Sequence, residues 1–142
     1  MKPTKVFFRN KKVLITGGTG SLGQKLTSRL KSLGAKIIIF SRDEGKQAAL
    51  FASDPCVTKV IGDILFIHNP DYVIHAAALK RIDDLEFYPD ECIKTNIEGS
   101  HNVAKASINN NIKKCVLIST DKACQPVNVY GSSKFIAERL FS

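Results

Sequence analysis

The chain has 142 residues, with 21 Lys+Arg against 13 Asp+Glu, a formal net charge of +8, and a hydrophobic fraction of 44%. That length fits one globular domain able to bury roughly 70% of its unfolded surface without disulfide or metal staples. Apolar runs such as Ile37-Ile38-Ile39-Phe40 fall far short of the ~18 to 20 residues of a membrane span, and the basic N-terminus lacks the apolar core of a secretion signal, so no membrane association and a cytoplasmic location are expected.

Lys12-Val13-Leu14-Ile15-Thr16 is a short apolar run that stops at Gly17-Gly18, the pattern of a buried parallel strand feeding a glycine turn. Ser21 to Leu33 carries Leu22, Leu26, Leu30 and Leu33 at helical spacing and closes at Gly34. Ala35 to Phe40 reads as a second strand, Gly45 to Ala52 as a weak helix, and Val57 to Ile61 as a third strand. After the turn at Asn69-Pro70-Asp71, Tyr72 to His75 forms a fourth strand. A long helix is predicted from Pro89 to the Asn109-Asn110-Asn111 stop, then a fifth strand over Lys114 to Ser119. Asn128 is the expected N-cap of a last helix, Val129 to Phe141.

This alternation predicts an α/β fold, a Rossmann-type doubly wound parallel sheet of about five strands in the order 3-2-1-4-5. In that order the link from the third to the fourth strand spans a diagonal of about 22 Å, and Asp63 to Asp71 reaches at most ~26 Å. A nearly straight connection, one thinly covered sheet face and an exposed fifth-strand edge are therefore expected.

Thr16-Gly17-Gly18-Thr19-Gly20-Ser21-Leu22-Gly23 follows a strand and opens a helix, the context of a dinucleotide fingerprint. Gly17 would allow the tight turn, Gly20 the approach of a pyrophosphate, and Gly23 the packing of helix on strand, with the diphosphate at the positive helix end. At the end of the second strand, Ser41-Arg42 stands where an NAD site wants a carboxylate; a guanidinium pairs a 2′-phosphate, which favours NADP. Arg42 also has Asp43 and Glu44 beside it, so a local ion pair is the other reading. Asp63 is placed to accept from the adenine amino group, or serves only as a turn former.

Tyr130 and Lys134 lie one helical turn apart, where an ammonium favours the phenolate and so makes a base of the phenol. Ser119-Thr120-Asp121-Lys122 falls at the C-terminal end of the fifth strand, where doubly wound sheets hold their chemistry. Asp121 and Lys122 are candidates for an acid and a base, or an exposed ion pair. Asn96 is either a satisfied buried amide or a holder of backbone or water near the site, and His101 a surface or packing residue. Cys56, Cys92, Cys115 and Cys124 show no Cys-x-x-Cys pair and no metal spacing with histidine, so reduced thiols and no metal are expected. The basic residues lack the aromatic interleaving of a nucleic-acid platform, which argues against a nucleic-acid partner.

These segments, with Ser41-Arg42-Asp43-Glu44, His75-Ala76-Ala77-Ala78-Leu79-Lys80, Lys94-Thr95-Asn96-Ile97 and Tyr130-Gly131-Ser132-Ser133-Lys134, resemble the extended short-chain dehydrogenase/reductase superfamily. Within it they are similar to the UDP-N-acetylglucosamine 4,6-dehydratases of the C5-inverting type. The resemblance implies Tyr130 as base at the C4 hydroxyl with Lys134 assisting, Lys122 removing the C5 proton, and Asp121, with Thr120 in the catalytic set, protonating the leaving C6 hydroxyl. It further implies that Thr19, Gly20, Ser21, Leu22, Ser41, Arg42, Asp43, Lys46, Asp63, Ile64 and Ala76 line NADP, together with Gly17, Gly23, Tyr130 and Lys134. Lys80 would touch a UDP-sugar substrate. Residues 1–142 would form the NAD(P)-binding domain without the C-terminal substrate-binding portion of such enzymes, and a homo-oligomer is expected. Two other readings are a non-catalytic dinucleotide-binding module and another sugar-nucleotide epimerase or dehydratase.

Overall fold

A computed structural model describes residues 7–41, 44–51, 54–60 and 69–142. The expected connection over Asp63 to Asp71 falls mostly outside these residues. The apolar runs form five strands: β1 (Lys12–Thr16), β2 (Lys36–Phe40), β3 (Val57–Val60), β4 (Tyr72–His75) and β5 (Lys114–Leu117). They make one parallel sheet in the order β3-β2-β1-β4-β5, as the strand–helix alternation requires. The register sets Thr16 beside Phe40 on one side and His75 on the other. The strands end together, so the loops that follow them share one pole.

Alternate residues of each strand enter opposite cores. Val13, Ile15, Ile37 and Ile39 pack with Leu30 of α1 (Ser21–Ser32) and Phe51 of α2 (Glu44–Phe51). Leu14, Ile38 and Val73 pack on the other face against Val103. All three are at most 3% exposed, so the central strands are covered on both faces and the expected thin face does not occur there. The reason is Val103 and Ala106 on the helix before β5, with Phe141 near the C-terminus, which lie over that face. β5 is the outermost strand on its side of the sheet, as expected, and its Val116 is half exposed.

Gly34, at φ +84°, ends α1 in the left-handed conformation that glycine adopts without penalty. At the strand-start pole Asp71 accepts from the Lys12 backbone N–H at 2.9 Å and pairs with Lys113 Nζ at 2.6 Å, which holds its carboxyl below the usual range. Lys31 pairs with Asp54 between α1 and the loop before β3.

The region after β4 differs most from the sequence expectation. A short helix, α3 (Ile82–Phe87), precedes the predicted one, burying Leu85 and leaving Phe87 exposed. The predicted long helix is three pieces in series: α4 (Pro89–Cys92), a π-helical segment (Ile93–Glu98) and α5 (Gly99–Asn109). The last helix, α6 (Val129–Leu140), is capped as expected, with Asn128 Oδ1 accepting from Gly131 N–H at 2.7 Å. No helix among the described residues is long and apolar enough to cross a membrane.

Candidate active site

The glycine turn after β1 is built by sterics. Gly17 sits at φ +70°, and a Cβ there would lie 2.8 to 2.9 Å from the backbone of Ala76 and Ala77. Thus the loops after β1 and β4 touch. A Cβ at Gly23 would meet Gly17 O and Gly18 Cα at 2.5 Å, so the start of α1 packs on the turn itself. Gly18, not singled out from the sequence as a site residue, is also required: a Cβ would meet Ile39 Cγ2 at 2.5 Å. Gly20 is the extended N-cap of α1; it offers no capping side chain, and the first turn has no acidic residue. Its amides and positive dipole end are therefore suited to an anion. The residues present fit a dinucleotide: a close-packed glycine turn leading to a helix start without a side-chain cap or an acidic first turn.

Thr19 Oγ1 lies 3.1 Å from Ser41 Oγ, which ties the turn to the end of β2. Gln47, buried on α2, donates to the Ser41 carbonyl at 2.9 Å, a support that sequence reasoning missed. Ser21 and Leu22 are exposed beside the turn, and Lys46 is exposed on α2. Ala76 N–H donates to Thr16 O at 3.2 Å, and Lys80 is exposed. Arg42, Asp43, Asp63 and Ile64 lie outside the described residues.

Beyond β5, Thr120 caps a 3₁₀ turn, Asp121–Ala123. Its hydroxyl donates to Asp121 Oδ1 at 2.9 Å and lies 3.4 Å from the Lys122 amide. Lys122 Nζ is 3.4 Å from Asp121 Oδ1, and both side chains face solvent. The Thr120 hydroxyl first, and Lys122 second, hold the Asp121 carboxyl below its ordinary value. The group is thus a carboxylate at neutral pH. This turn is fixed against α6 through Gly131, where a Cβ would lie 2.3 Å from the Lys122 carbonyl oxygen. Gly131 is therefore a close-packing position within Tyr130-Gly131-Ser132-Ser133-Lys134, legible only once both segments are in place.

Lys134 is 3% exposed and donates from Nζ to the Ile118 carbonyl at 2.6 Å. Burial pulls its pKa below the ordinary lysine value, partly offset by Glu138. Tyr130 is half-buried one turn earlier on α6, and its carbonyl accepts from Ser133 Oγ at 2.7 Å. Asn96, on the π-helical segment and 1% exposed, holds backbone: it accepts from Leu79 N–H at 2.8 Å and donates to the Leu79 carbonyl at 3.0 Å. It also donates to Ser133 Oγ at 3.0 Å. His101 is exposed, and the four cysteines are free thiols.

A parallel sheet with helices on both faces and a glycine turn leading into α1 defines a Rossmann-type fold of the short-chain dehydrogenase/reductase class. A family model described as "Polysaccharide biosynthesis protein" matches residues 13–142, and the chain belongs to that family. It is 47% identical over 146 residues to the UDP-N-acetylglucosamine 4,6-dehydratase (inverting) of Campylobacter jejuni subsp. jejuni serotype O:2, covering 94% of this chain and 43% of that protein. It is 44% identical over 147 residues to the UDP-glucose 4-epimerase of Rickettsia conorii, again covering 94% of this chain and 43% of the relative. Among solved structures, Pen from Bacillus thuringiensis superposes with a TM-score of 0.87 at 38% identity, covering 94% of this chain and 46% of Pen. The chain spans less than half the length of the curated relatives it matches.

Proposed function

We propose that this chain carries the cofactor-binding and proton-handling residues of an NADP-dependent UDP-N-acetylglucosamine 4,6-dehydratase that inverts C5. The observation that carries the reading is the 47% identity, over 94% of the chain, to a protein of that name. Gly17, Gly20 and Gly23 with Thr19, Ser21 and Leu22 would hold the pyrophosphate half of NADP. Ser41, Arg42, Asp43 and Lys46 would hold the 2′-phosphorylated ribose, and Asp63, Ile64 and Ala76 the adenine side. When bound, NADP would supply a hydride acceptor for C4 and a donor for C6.

In this reading Tyr130 takes the proton of the C4 hydroxyl, with the buried Lys134 ammonium stabilising its phenolate. Lys122 takes the C5 proton, acidified by the C4 ketone. Asp121 is held ionised by Thr120 and Lys122, so a proton must first pass from the Lys122 ammonium to the Asp121 carboxylate, 3.4 Å away; Lys122 is then neutral to take the C5 proton, and the Asp121 carboxyl delivers its proton to the C6 hydroxyl, which leaves as water. Lys80 contacts the UDP-sugar. The product is a UDP-4-keto-6-deoxy-hexosamine.

A homo-oligomer completes the proposal, supported by exposed Val127, Phe135 and Ile136 at and beside α6. So does a cytoplasmic location, which suits four free thiols. A second reading, a 4-epimerase, is favoured by the 44% identity to the Rickettsia conorii protein.

The test mixes the chain with NADP⁺ and UDP-N-acetylglucosamine and follows the sugar by NMR, alongside NADPH and NADH titrations by fluorescence. The expected result is a 4-keto-6-deoxy sugar and tighter binding of NADPH, weakened by Arg42→Ala. A C4 epimer would install the second reading. Binding without turnover would reduce the chain to a dinucleotide-binding module.

A further inference from the structure

His75 closes β4 at 2% exposure, and none of the proposed chemistry uses it. Both ring nitrogens are engaged: Nδ1 lies 2.6 Å from Thr16 Oγ1 and Nε2 lies 3.1 Å from Ser100 Oγ. The proton positions follow from the neighbours. Ser100 gives its single hydroxyl proton to the Asn96 carbonyl at 2.5 Å, so it accepts from Nε2–H. Nδ1 is then a bare acceptor and takes the Thr16 hydroxyl proton. That leaves the Thr16 oxygen to accept from Ala77 N–H at 3.2 Å.

On the other side the Asn96 backbone carbonyl takes the Ser100 proton, and the side-chain amide of the same residue clasps Leu79, donating to the Leu79 carbonyl and accepting from the Leu79 N–H. The short segment between β4 and Lys80 is thus held twice, at Ala77 through Thr16 and at Leu79 through Asn96. Both anchors lead back to one imidazole. Thr16, Ser100 and Asn96 are, like His75, at most 2% exposed, so water does not substitute for a lost partner at low cost. The segment has no slack toward the glycine turn, because Ala76 and Ala77 already fill the space a Gly17 Cβ would need.

We propose that His75, as the neutral Nε2–H tautomer, is a positioning residue that locks the segment from Ala77 to Leu79 against the glycine turn. A neutral imidazole is suited to this task because it accepts on one edge and donates on the other. Burial first, and the charge of Lys134 second, keep the ring uncharged at neutral pH. The consequence for NADP and for Lys80 rests on the proposed function; the bridge itself does not.

The experiment uses the ¹⁵N-labelled chain at pH 7. Long-range ¹H–¹⁵N spectra are expected to show His75 protonated at Nε2 and bare at Nδ1. Amide exchange is then compared between wild type and Ser100→Ala. The Ser100 hydroxyl bonds to His75 and to the Asn96 carbonyl and not to Ala77 or Thr16, so acceleration at the Ala77 amide reports communication through the imidazole. An acceleration of about tenfold at Ala77 and Leu79 is expected, relative to the Val73 amide in β4, as befits one buried donor left unpartnered. NADPH should bind about tenfold more weakly to Ser100→Ala, since the competent arrangement of the segment is populated less. His75→Phe, which keeps an aromatic ring but removes both nitrogens, should do at least as much; if it fails to fold, Ser100→Ala decides alone. A proton on Nδ1, or an Ala77 amide unchanged in Ser100→Ala, overturns the proposal. A wild-type chain that binds no NADPH refutes the functional reading instead, and leaves the tautomer and exchange results to decide the bridge.

Discussion

Lowering the pH from 7 toward 4 should charge the unfolded chain at His75 well before the folded one. Burial and, second, Lys134 push the folded imidazole from 6.5 down to about 4. Between those values the unfolded state binds more protons, so stability rises with pH through this window and is lost as pH falls through it. At 1.36 kcal/mol per tenfold change in proton affinity, the displacement from 6.5 to about 4 amounts to roughly 3 kcal/mol, of which about 2 is gone by pH 5. The side chain is 2% exposed, so solvent screening takes little from this figure. Carboxylates act elsewhere: Asp54 and Asp71, both held below 3.8, contribute stability that is lost only under more acidic conditions. The assay is the urea midpoint by circular dichroism at pH 7, 6, 5 and 4.5, in wild type and in His75→Phe, with the imidazole followed by NMR. Wild type should weaken steadily between pH 6.5 and 4.5 and His75→Phe should be flatter. An unchanged wild-type midpoint at pH 5, or an imidazole titrating near 6.5, would refute the reasoning.

Gly131→Ala sets a methyl against the Lys122 carbonyl, 2.3 Å from where its Cβ must lie, so α6 and the Asp121–Lys122 turn have to part. Steady-state turnover should fall at least tenfold; unaltered turnover would remove Gly131 from the site. Asn128→Ala deletes the α6 cap and should cost about 1 kcal/mol, or roughly 3 °C in Tm, measured by calorimetry. Leu14→Ala, at a site 2% exposed in the middle of the sheet, should cost about 2–5 kcal/mol in urea unfolding. A loss below 1 kcal/mol would mean that this face collapses around the gap.

Much of the fold is written in neighbouring residues. The run Val13-Leu14-Ile15 followed by Gly17-Gly18, the leucines of α1 closing at Gly34, and Asn128 three residues before Gly131 each depend on contacts a few positions apart. Such signals survive in a linear reading because strand alternation, helix periodicity and capping are local geometry. The same holds for the strand order, since short parallel connections leave few topologies. The helix α3 was missed because Leu85 is its one buried residue, and six residues carry too little periodicity; Asp83 and Asp84 in its first turn were the available sign. The π-helical segment was missed because one widened turn leaves apolar spacing nearly unchanged, yet it lies where Asn96 meets Leu79 and Ser133.

Sequence alone therefore determined that this chain folds as a parallel α/β sheet with a glycine turn ahead of a helix, and which residue types gather at the strand ends. Tertiary structure alone decided which of them act together. Thr16 and His75 are 59 residues apart and meet because β1 and β4 are adjacent in register; the Lys122 carbonyl and Gly131 meet because α6 returns across its own preceding loop. The tautomer of one buried histidine and the anchoring of Lys134 depend on such encounters, whereas Asp121 is held ionised by its sequence neighbours Thr120 and Lys122. Burial and hydrogen-bond partners belong to a place in space, and a linear pattern carries them only where the chain is still close to itself.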